Sequence, residues 1–200
     1  MTGINNQQAH DFLKKSILAL SNIPEELIER LFSICKSVNY KKGQFFLMAG
    51  DIPEYVGFNL NGIFRLYYVD ENGNDLTKGF STAGKFVISY SALAQRRPSF
   101  FYIEALVDTD VLQFNFSQWI QMVEEDIRWY PFLFKLLETV YIMKELREKS
   151  FLLDSAAERY LAFQRDYPNL ENEIKLYHIA SFIGVTPEAL SRIRSKQKLT

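Results

Sequence analysis

The chain has 200 residues, of which 48% are hydrophobic, and its formal net charge is −1. This length and hydrophobic content suit one large domain, or a medium domain with a small appendage, and they exclude a disordered protein. A net charge near zero excludes a global positive field, so any attraction to nucleic acid must come from local clustering.

Cysteine and histidine are scarce. Cys35 is the only cysteine, which excludes an internal disulfide framework or an iron–sulfur cluster held within one chain and fits a reducing compartment. His10 and His178 are too few for a His-ligated zinc or iron enzyme. The sequence has no secretory-type N-terminus and no run of about 18 apolar residues. We therefore expect a cytoplasmic protein that has no membrane partner, metal, cofactor or catalytic residue.

The first part of the chain changes from helical to strand-like patterning. Residues 7–38 predict two helices, and Cys35 falls on the apolar face of the second, where we interpret it as core filling. From about Val38 to Phe116, short apolar runs alternate with glycines. Runs of this length with turns every ten to twelve residues predict an antiparallel barrel or roll. The Asn72-Gly73 pair predicts a hairpin turn, because both residues tolerate a positive φ.

A helical period returns after Phe116. It predicts a short helix, SQWIQMVEE, and a long helix from near Pro131 to about Lys149. Two apolar stripes lie side by side on this long segment. The first consists of Trp129, Leu133, Leu136, Val140 and Met143, and the second of Tyr130, Phe134, Leu137 and Tyr141. The 4-3 spacing of the first stripe predicts a homodimer interface. The alternative is a single broad face buried against the roll.

The end of the chain has the pattern of a helix-turn-helix. Ser155 and Glu158 form a capping box that begins a helix ending near Asp166, and we place a domain boundary between Leu152 and Ser155. The stretch IASFIGVTPEALSRIRSK then predicts two helices joined by a tight turn. The residues expected to pack these helices together are Ala180, Gly184, Leu190 and Ile193. Thr186 can cap the second helix, because Pro187 follows at its first position.

Polar side chains of the second helix predict DNA contacts. Glu188, Ser191 and Arg192 face outward at its start, where Arg can donate to guanine and Glu can accept from cytosine. The residues expected at the phosphate backbone are Thr186, Arg194, Lys196 and Lys198. From Thr186 to the end of the chain, four residues are basic and one is acidic, so the charge is clustered here.

The predicted fold is α+β and has three parts. Residues 1–116 form a helical N-terminus and an antiparallel β-roll, residues 117–151 a short helix and a long dimerisation helix, and residues 152–200 a small helix-turn-helix domain. The turn carboxylates Asp108 and Asp110 resemble a catalytic pair only superficially, because they flank a turn between strands.

This order of elements resembles the Crp/Fnr (catabolite-activator) family of bacterial transcription regulators. The glycines of KKGQ, MAGD, LNGIFRL, ENGN and TAGKF fall where that family's cyclic-nucleotide-binding roll has them, and E-x-x-S-R at 188–192 looks like the reading helix of its Fnr-type members. The resemblance implies a homodimer whose reading helices enter successive major grooves of double-stranded DNA. It also implies a half-site similar to TTGA, which Pro187 can alter, and RNA polymerase as a partner through residues that the sequence does not identify.

The sequence departs from the family pattern at two places. Ungapped alignment puts Ile88 and Ser89 at the positions of a Gly-Glu pair, and Ser99 and Phe100 at those of an Arg-Ser pair, which together hold cyclic AMP in the family. We therefore expect a degenerate pocket that does not bind cyclic nucleotide and is either empty or holds a more apolar effector. Only residues 197–200 follow Lys196, so the expected wing hairpin is missing from this sequence, which predicts modest, salt-dependent affinity.

Two other functions compete with DNA binding. The first is a small-molecule sensor whose terminal helices contact a protein partner. The second is a cupin-like metalloenzyme built on a similar roll, which the two scattered histidines oppose.

Overall fold

A computed structural model describes residues 4–197, and its elements follow the predicted order of helices, roll and helices. The helices are α1 (Asn6–Leu18), α2 (Glu25–Ser33), α3 (Tyr90–Gln95), α4 (Phe116–Glu125), α5 (Tyr130–Leu153), α6 (Ala156–Asp166), α7 (Leu176–Ile183) and α8 (Pro187–Gln197). The strands are β1 (Lys36–Tyr40), β2 (Phe45–Leu47), β3 (Tyr55–Asn59), β4 (Phe64–Val69), β5 (Asp75–Ser81), β6 (Phe86–Val87), β7 (Tyr102–Ala105) and β8 (Thr109–Asn115). The predicted α+β class is confirmed.

The strands form two four-stranded sheets, in the orders β1-β8-β3-β6 and β2-β7-β4-β5. In the first sheet β8 is antiparallel to both neighbours, so Val111 pairs with Val38 on one side and with Asn59 on the other. Side chains from both sheets, among them Phe64, Ile103 and Val111, share one apolar cluster. Because one face of each sheet is buried in this way, the register of the strands is well specified. The predicted roll is confirmed.

A second apolar cluster lies where helices cover the first sheet. Residues of α1, α2 and α4 pack there with β3, β8 and the start of α5. Phe132 of α5 and Trp129, in a 3-10 turn just before α5, are fully buried. Cys35 comes after α2 and not within it, but it packs against this cluster. Burial raises the pKa of its thiol to about 12, and the Sγ donates to the carbonyl of Leu31 at 3.3 Å. The structure thus agrees with the interpretation of Cys35 as core filling.

The hairpin between β4 and β5 turns at the predicted Asn72-Gly73 pair. Asp70 organises the turn, because its Oδ1 accepts from the amides of Asn72 (2.9 Å) and Asn74 (2.8 Å). Gly73 adopts a φ of +81°, whereas Asn72 is not among the residues with a positive φ. The turn therefore depends on the Asp70 side chain and on one residue with a positive φ, whereas the sequence predicted two such residues.

Contacts divide the chain into two compact units. The first contains residues up to Leu66 together with Phe80–Thr139, and the second contains Tyr67–Gly79 and the residues from Val140 onward. The tip of the β4–β5 hairpin thus belongs to the same unit as α6, α7 and α8. The predicted division at residues 116 and 151 stays a prediction. No helix within residues 4–197 combines the length and the apolar composition needed to cross a membrane.

Candidate nucleic-acid interface

A tight turn joins α7 to α8. Gly184 ends α7 in the left-handed conformation (φ +73°, ψ 42°), its amide donates to Ser181 O, and the amide of Val185 donates to Ala180 O at 3.0 Å. Glycine is the residue that adopts this C-terminal cap without strain. A Cβ on Gly184 would also lie 2.7 Å from Cε1 of Phe151, so the position has no room for a side chain. The turn therefore needs glycine for two independent reasons.

The two helices pack through the residues that the pattern predicts. Ala180 and Leu190 are fully buried, and Ile193 is half-buried one turn further along α8. Thr186 begins α8, because its Oγ1 accepts from the amide of Ala189 at 3.3 Å. Since the cap and the packing face fix the rotation of α8, the side chains opposite Leu190 must face solvent.

The solvent-facing side of α8 carries the three predicted base-contacting residues. Glu188, Ser191 and Arg192 are all exposed, and they lie within one and a half turns of the helix start. The amide of Glu188 and the hydroxyl of Thr186 donate to the Glu188 carboxylate, and together with the nearby Arg192 they hold its pKa below the usual range. The carboxylate is thus ionised at neutral pH and able to accept a hydrogen bond.

The four predicted backbone-contacting residues do not share one environment. Arg194 is half-buried and hydrogen-bonds to the hydroxyl of Tyr160, which itself donates to Glu171 at 2.5 Å. Its assignment as a phosphate contact stays a prediction, and a part of its side chain remains accessible. Thr186 and Lys196 are exposed, whereas Lys198 lies outside the described residues.

Tyr160, on α6, is a buried tyrosine near Arg194. Burial, with the Glu171 carboxylate as a second cause, raises the pKa of Tyr160 to about 12. The hydroxyl therefore stays protonated and can both donate to Glu171 and accept from Arg194 and from Gln164 Nε2 at 3.1 Å. A buried hydroxyl with partners on each side is a fixed part of this unit.

The structure corrects the predicted dimer stripe on α5. Trp129 is fully buried in the core of its own chain, and Leu133 and Leu136 pack against the same core. Only Val140 and Met143 of the first stripe are exposed. Periodicity predicted correctly which residues share a face, but the first half of this face covers the chain's own core.

The second stripe is the exposed one. Tyr130, Phe134, Leu137 and Tyr141 recur at steps of four, three and four residues, and Phe134 and Tyr141 are 64% and 68% exposed. A monomeric protein seldom leaves a row of large apolar side chains on one helix face in water. The spacing is that of a helix that packs on a second helix.

Two of the residues predicted to line a degenerate pocket are a pair of buried serines. Ser89 and Ser99 are buried, their hydroxyl oxygens lie 3.1 Å apart, and Ser99 Oγ donates to the carbonyl of Phe101. Ile88 packs against the helical cluster. Phe100 is 78% exposed, which corrects its assignment to the pocket lining, while Phe101 is the buried member of the pair. These hydroxyls satisfy one another, and they carry no charge that could pair with a phosphate.

One buried cation was missed by the sequence analysis. Arg65, on β4, is 1% exposed, deeper than any other Arg, Lys, Asp or Glu side chain in residues 4–197. The available signal is the string FRL, in which an arginine interrupts an apolar strand. A buried charge is costly unless neighbouring groups compensate it, so Arg65 constrains the interior of the roll.

Carboxylates and histidines do not gather into a metal site. Asp108 accepts from Lys41 Nζ (3.0 Å) and from the amide of Lys42 (2.9 Å) just before β8, and Asp110, on β8, accepts from the Asn39 and Asn61 side chains, so both have structural partners. Within the described part of the chain, no group of three or more His, Cys, Asp or Glu side chains could hold a metal ion.

Comparison with known proteins bears on the fold of the chain. Residues 37–126 match the family model of the cyclic nucleotide-binding domain. No curated protein matches the chain.

Solved structures resemble most of the chain. FixK2 from Bradyrhizobium japonicum is 19% identical with a TM-score of 0.68, over 83% of this chain and 85% of that one. The c-di-GMP responsive global regulator CLP of Xanthomonas campestris is 13% identical with a TM-score of 0.65, over 88% of this chain and 92% of that one. The catabolite activator protein of Thermus thermophilus is 18% identical with a TM-score of 0.55, over 90% and 85%. Residues 37–126 thus resemble the cyclic nucleotide-binding domain family, and the chain shares its fold with these solved structures.

The turn at Gly184 yields a stability prediction. Gly184→Ala forces a left-handed alanine, which costs about 1–2 kcal/mol, and pushes a methyl group into the Phe151 ring, which adds about 1–3 kcal/mol of overpacking. Gly73→Ala is the matched control, because Gly73 has a similar φ of +81° but open space around its Cβ position. Urea denaturation should show a clearly larger loss of unfolding free energy for Gly184→Ala. Equal losses would mean that the contact with Phe151 is of no consequence.

Proposed function

We propose that this chain is a homodimeric, sequence-specific DNA-binding transcription regulator of the Crp/Fnr type whose roll does not take cyclic AMP. The observation that carries the proposal is the placement of Glu188, Ser191 and Arg192. All three are exposed on one face of a helix whose rotation is fixed by a capped, glycine-dependent turn. A short helix that presents these side chains at its first turns fits the major groove.

The chemistry of the three side chains suits base recognition. Arg192 presents a planar set of donors that matches the O6 and N7 acceptors of guanine, and the ionised Glu188 accepts from the amino group of cytosine. In the free protein Arg192 lies four residues from Glu188, close enough to lower its pKa.

A second copy of this chain is the proposed occupant of the exposed stripe on α5. Tyr130, Phe134, Leu137 and Tyr141 follow the 4-3-4 spacing of a two-helix seam, and the neighbouring stripe at the start of α5 already covers the chain's own core. Burial of several aromatic side chains offers a large apolar gain on association. Two copies would also supply the two reading helices that a pseudo-palindromic site requires.

The roll is proposed not to respond to cyclic AMP. A cyclic phosphate would have to be buried beside the hydroxyls of Ser89 and Ser99, with neither an arginine at position 99 nor a carboxylate at position 89. An unpaired buried charge costs several kcal/mol, which ordinary contacts with the base do not offset.

Base reading by Arg192 can be separated from phosphate contact by two variants. Selection from random duplexes should identify a preferred site for the full-length protein. Arg192→Ala should then lose about 1–3 kcal/mol on that site and relax one base position, while Lys196→Ala should weaken all sequences alike and lower the salt slope by about 1. Equal losses on every sequence for both variants would contradict base reading by Arg192. An absence of salt-dependent DNA binding by the wild type would favour a protein partner instead.

Dimerisation through the second stripe is tested by a matched pair of charge insertions. Phe134→Asp places a carboxylate within the proposed seam, whereas Ile142→Asp does the same at an exposed apolar residue of α5 that lies off the stripe. Sedimentation should show a dimer for the wild type and for Ile142→Asp, and a monomer for Phe134→Asp, because a buried, unpaired charge opposes association. A dimer in all three cases would mean that the dimer interface does not include the second stripe.

The expected indifference to cyclic AMP is measured by thermal unfolding. A ligand present at a hundred times its Kd stabilises the folded state by about 2.7 kcal/mol. Millimolar cyclic AMP should leave the Tm unchanged, as should the same concentration of adenosine monophosphate, which controls for non-specific effects. A rise in Tm with cyclic AMP alone would show that the roll does hold the nucleotide.

A further inference from the structure

Arg147 of α5 is half-buried within the second unit. Its Nη2 donates to the carbonyl of Phe182, near the end of α7, at 3.0 Å, and more weakly to the carbonyl of Thr77, on β5, at 3.4 Å. The guanidinium carbon lies 3.9 Å from the centroid of the Phe182 ring and 4.8 Å from that of Phe151. One side chain thus touches three elements: α5, α7 and the hairpin strand β5.

A second arginine also bonds to the C-terminal end of α7. Arg159, on α6, donates from Nε to the carbonyl of Ile183 at 2.8 Å and from Nη1 to the carbonyl of Asp154 at 2.6 Å. Its guanidinium lies 5.3 Å from the centroid of the same Phe151 ring. The last carbonyls of a helix lack intrahelical partners and carry partial negative charge, so two cations there both satisfy and stabilise them.

The hairpin is attached to α7 by a serine as well. Ser181 Oγ accepts from the amide of Thr77 at 2.8 Å and donates to the carbonyl of Asp75 at 2.9 Å. In the described part of the chain β5 is the last strand of its sheet, and the Ser181 hydroxyl bonds to two of its backbone groups. The side chain of Ser181 therefore links α7 to the backbone of β5.

We infer that Arg147 is a positioning residue for DNA recognition, which fixes the direction of the reading helix α8 relative to the C-terminal half of α5. The inference rests on the proposed function. α8 follows α7 after a three-residue turn and packs on it through Ala180 and Leu190, so any change in the direction of α7 moves α8 with it. Arg147, with Ser181 beside it, attaches α7 to two other elements at once.

This role has a specific consequence for a dimer. If α5 carries the dimer seam, the direction of each α8 on α5 sets the distance between the two reading helices. A rigid attachment then favours one separation of the half-sites, because both helices engage simultaneously only at that separation. A loosened attachment accepts several separations but loses the advantage of preorganisation. Arg147 therefore influences which spacing between half-sites is preferred, whereas Arg192 determines which bases are preferred within each half-site.

The experiment measures spacing preference with full-length protein. Duplexes that carry the selected half-site twice, with spacers lengthened or shortened by one or two base pairs, are titrated with the wild type, Arg147→Met and Lys149→Met. Lys149 is an exposed residue of the same helix, so its variant controls for the loss of one positive charge. Ser181→Ala is a milder variant that removes only the hydroxyl contact with β5, and circular dichroism verifies that each variant is folded.

The wild type and Lys149→Met should prefer the optimal spacer by about tenfold or more over the altered ones. Arg147→Met should reduce this preference to within about threefold, while the penalty for a wrong base inside one half-site stays as in the wild type, and Ser181→Ala should shift it in the same direction. If Arg147→Met and Ser181→Ala keep the spacing preference of the wild type, or lose affinity equally on all duplexes, the inference is overturned but the proposed function is not. Failure of the wild type to bind any duplex would overturn the proposed function and the inference with it.

Discussion

The left-handed turn at Gly184 is the constraint on which the rest of the candidate interface depends. Its φ of +73° ends α7, and the backbone passes so close to Phe151 that no side chain fits. From this turn the chain enters α8 with Thr186 as cap and Leu190 in the core. The exposure of Glu188, Ser191 and Arg192 is a geometric consequence, because a helix pinned at its start and along one face has no remaining freedom to rotate.

The same unit shows how cations can serve structure and recognition in different ways. Arg147 and Arg159 donate to carbonyl groups at the end of α7, and Arg194 bonds to a buried tyrosine. Arg192 differs from these because its surroundings are solvent and one neighbouring carboxylate. A count of basic residues near the C-terminus therefore overstates the charge available to a polyanion, and burial decides which of the arginines remain available.

Much of the fold could be predicted from sequence because its signals are local. The cap at Thr186, the glycine turn and the capping box at Ser155 depend on a few adjacent residues, and each lies where the pattern predicts. Trp129 shows the limit of this reasoning, because periodicity identifies the residues of a face but not whether that face meets its own core or a partner. Phe100 and Phe101 show a second limit, because the sequence does not indicate which of these two adjacent aromatic residues is buried. Arg147 acts through elements far apart in the chain, so no local pattern could reveal it.

The claim at the centre of this account is that two copies of α8 read DNA through Arg192 on one face of the duplex. The most direct measurement is guanine methylation interference on the selected site. We expect two sensitive patches in the major groove, separated by about 34–36 Å or one helical turn, and in Arg192→Ala the loss of interference at one guanine within each patch. A single patch, or two patches whose pattern does not change in Arg192→Ala, would contradict the account.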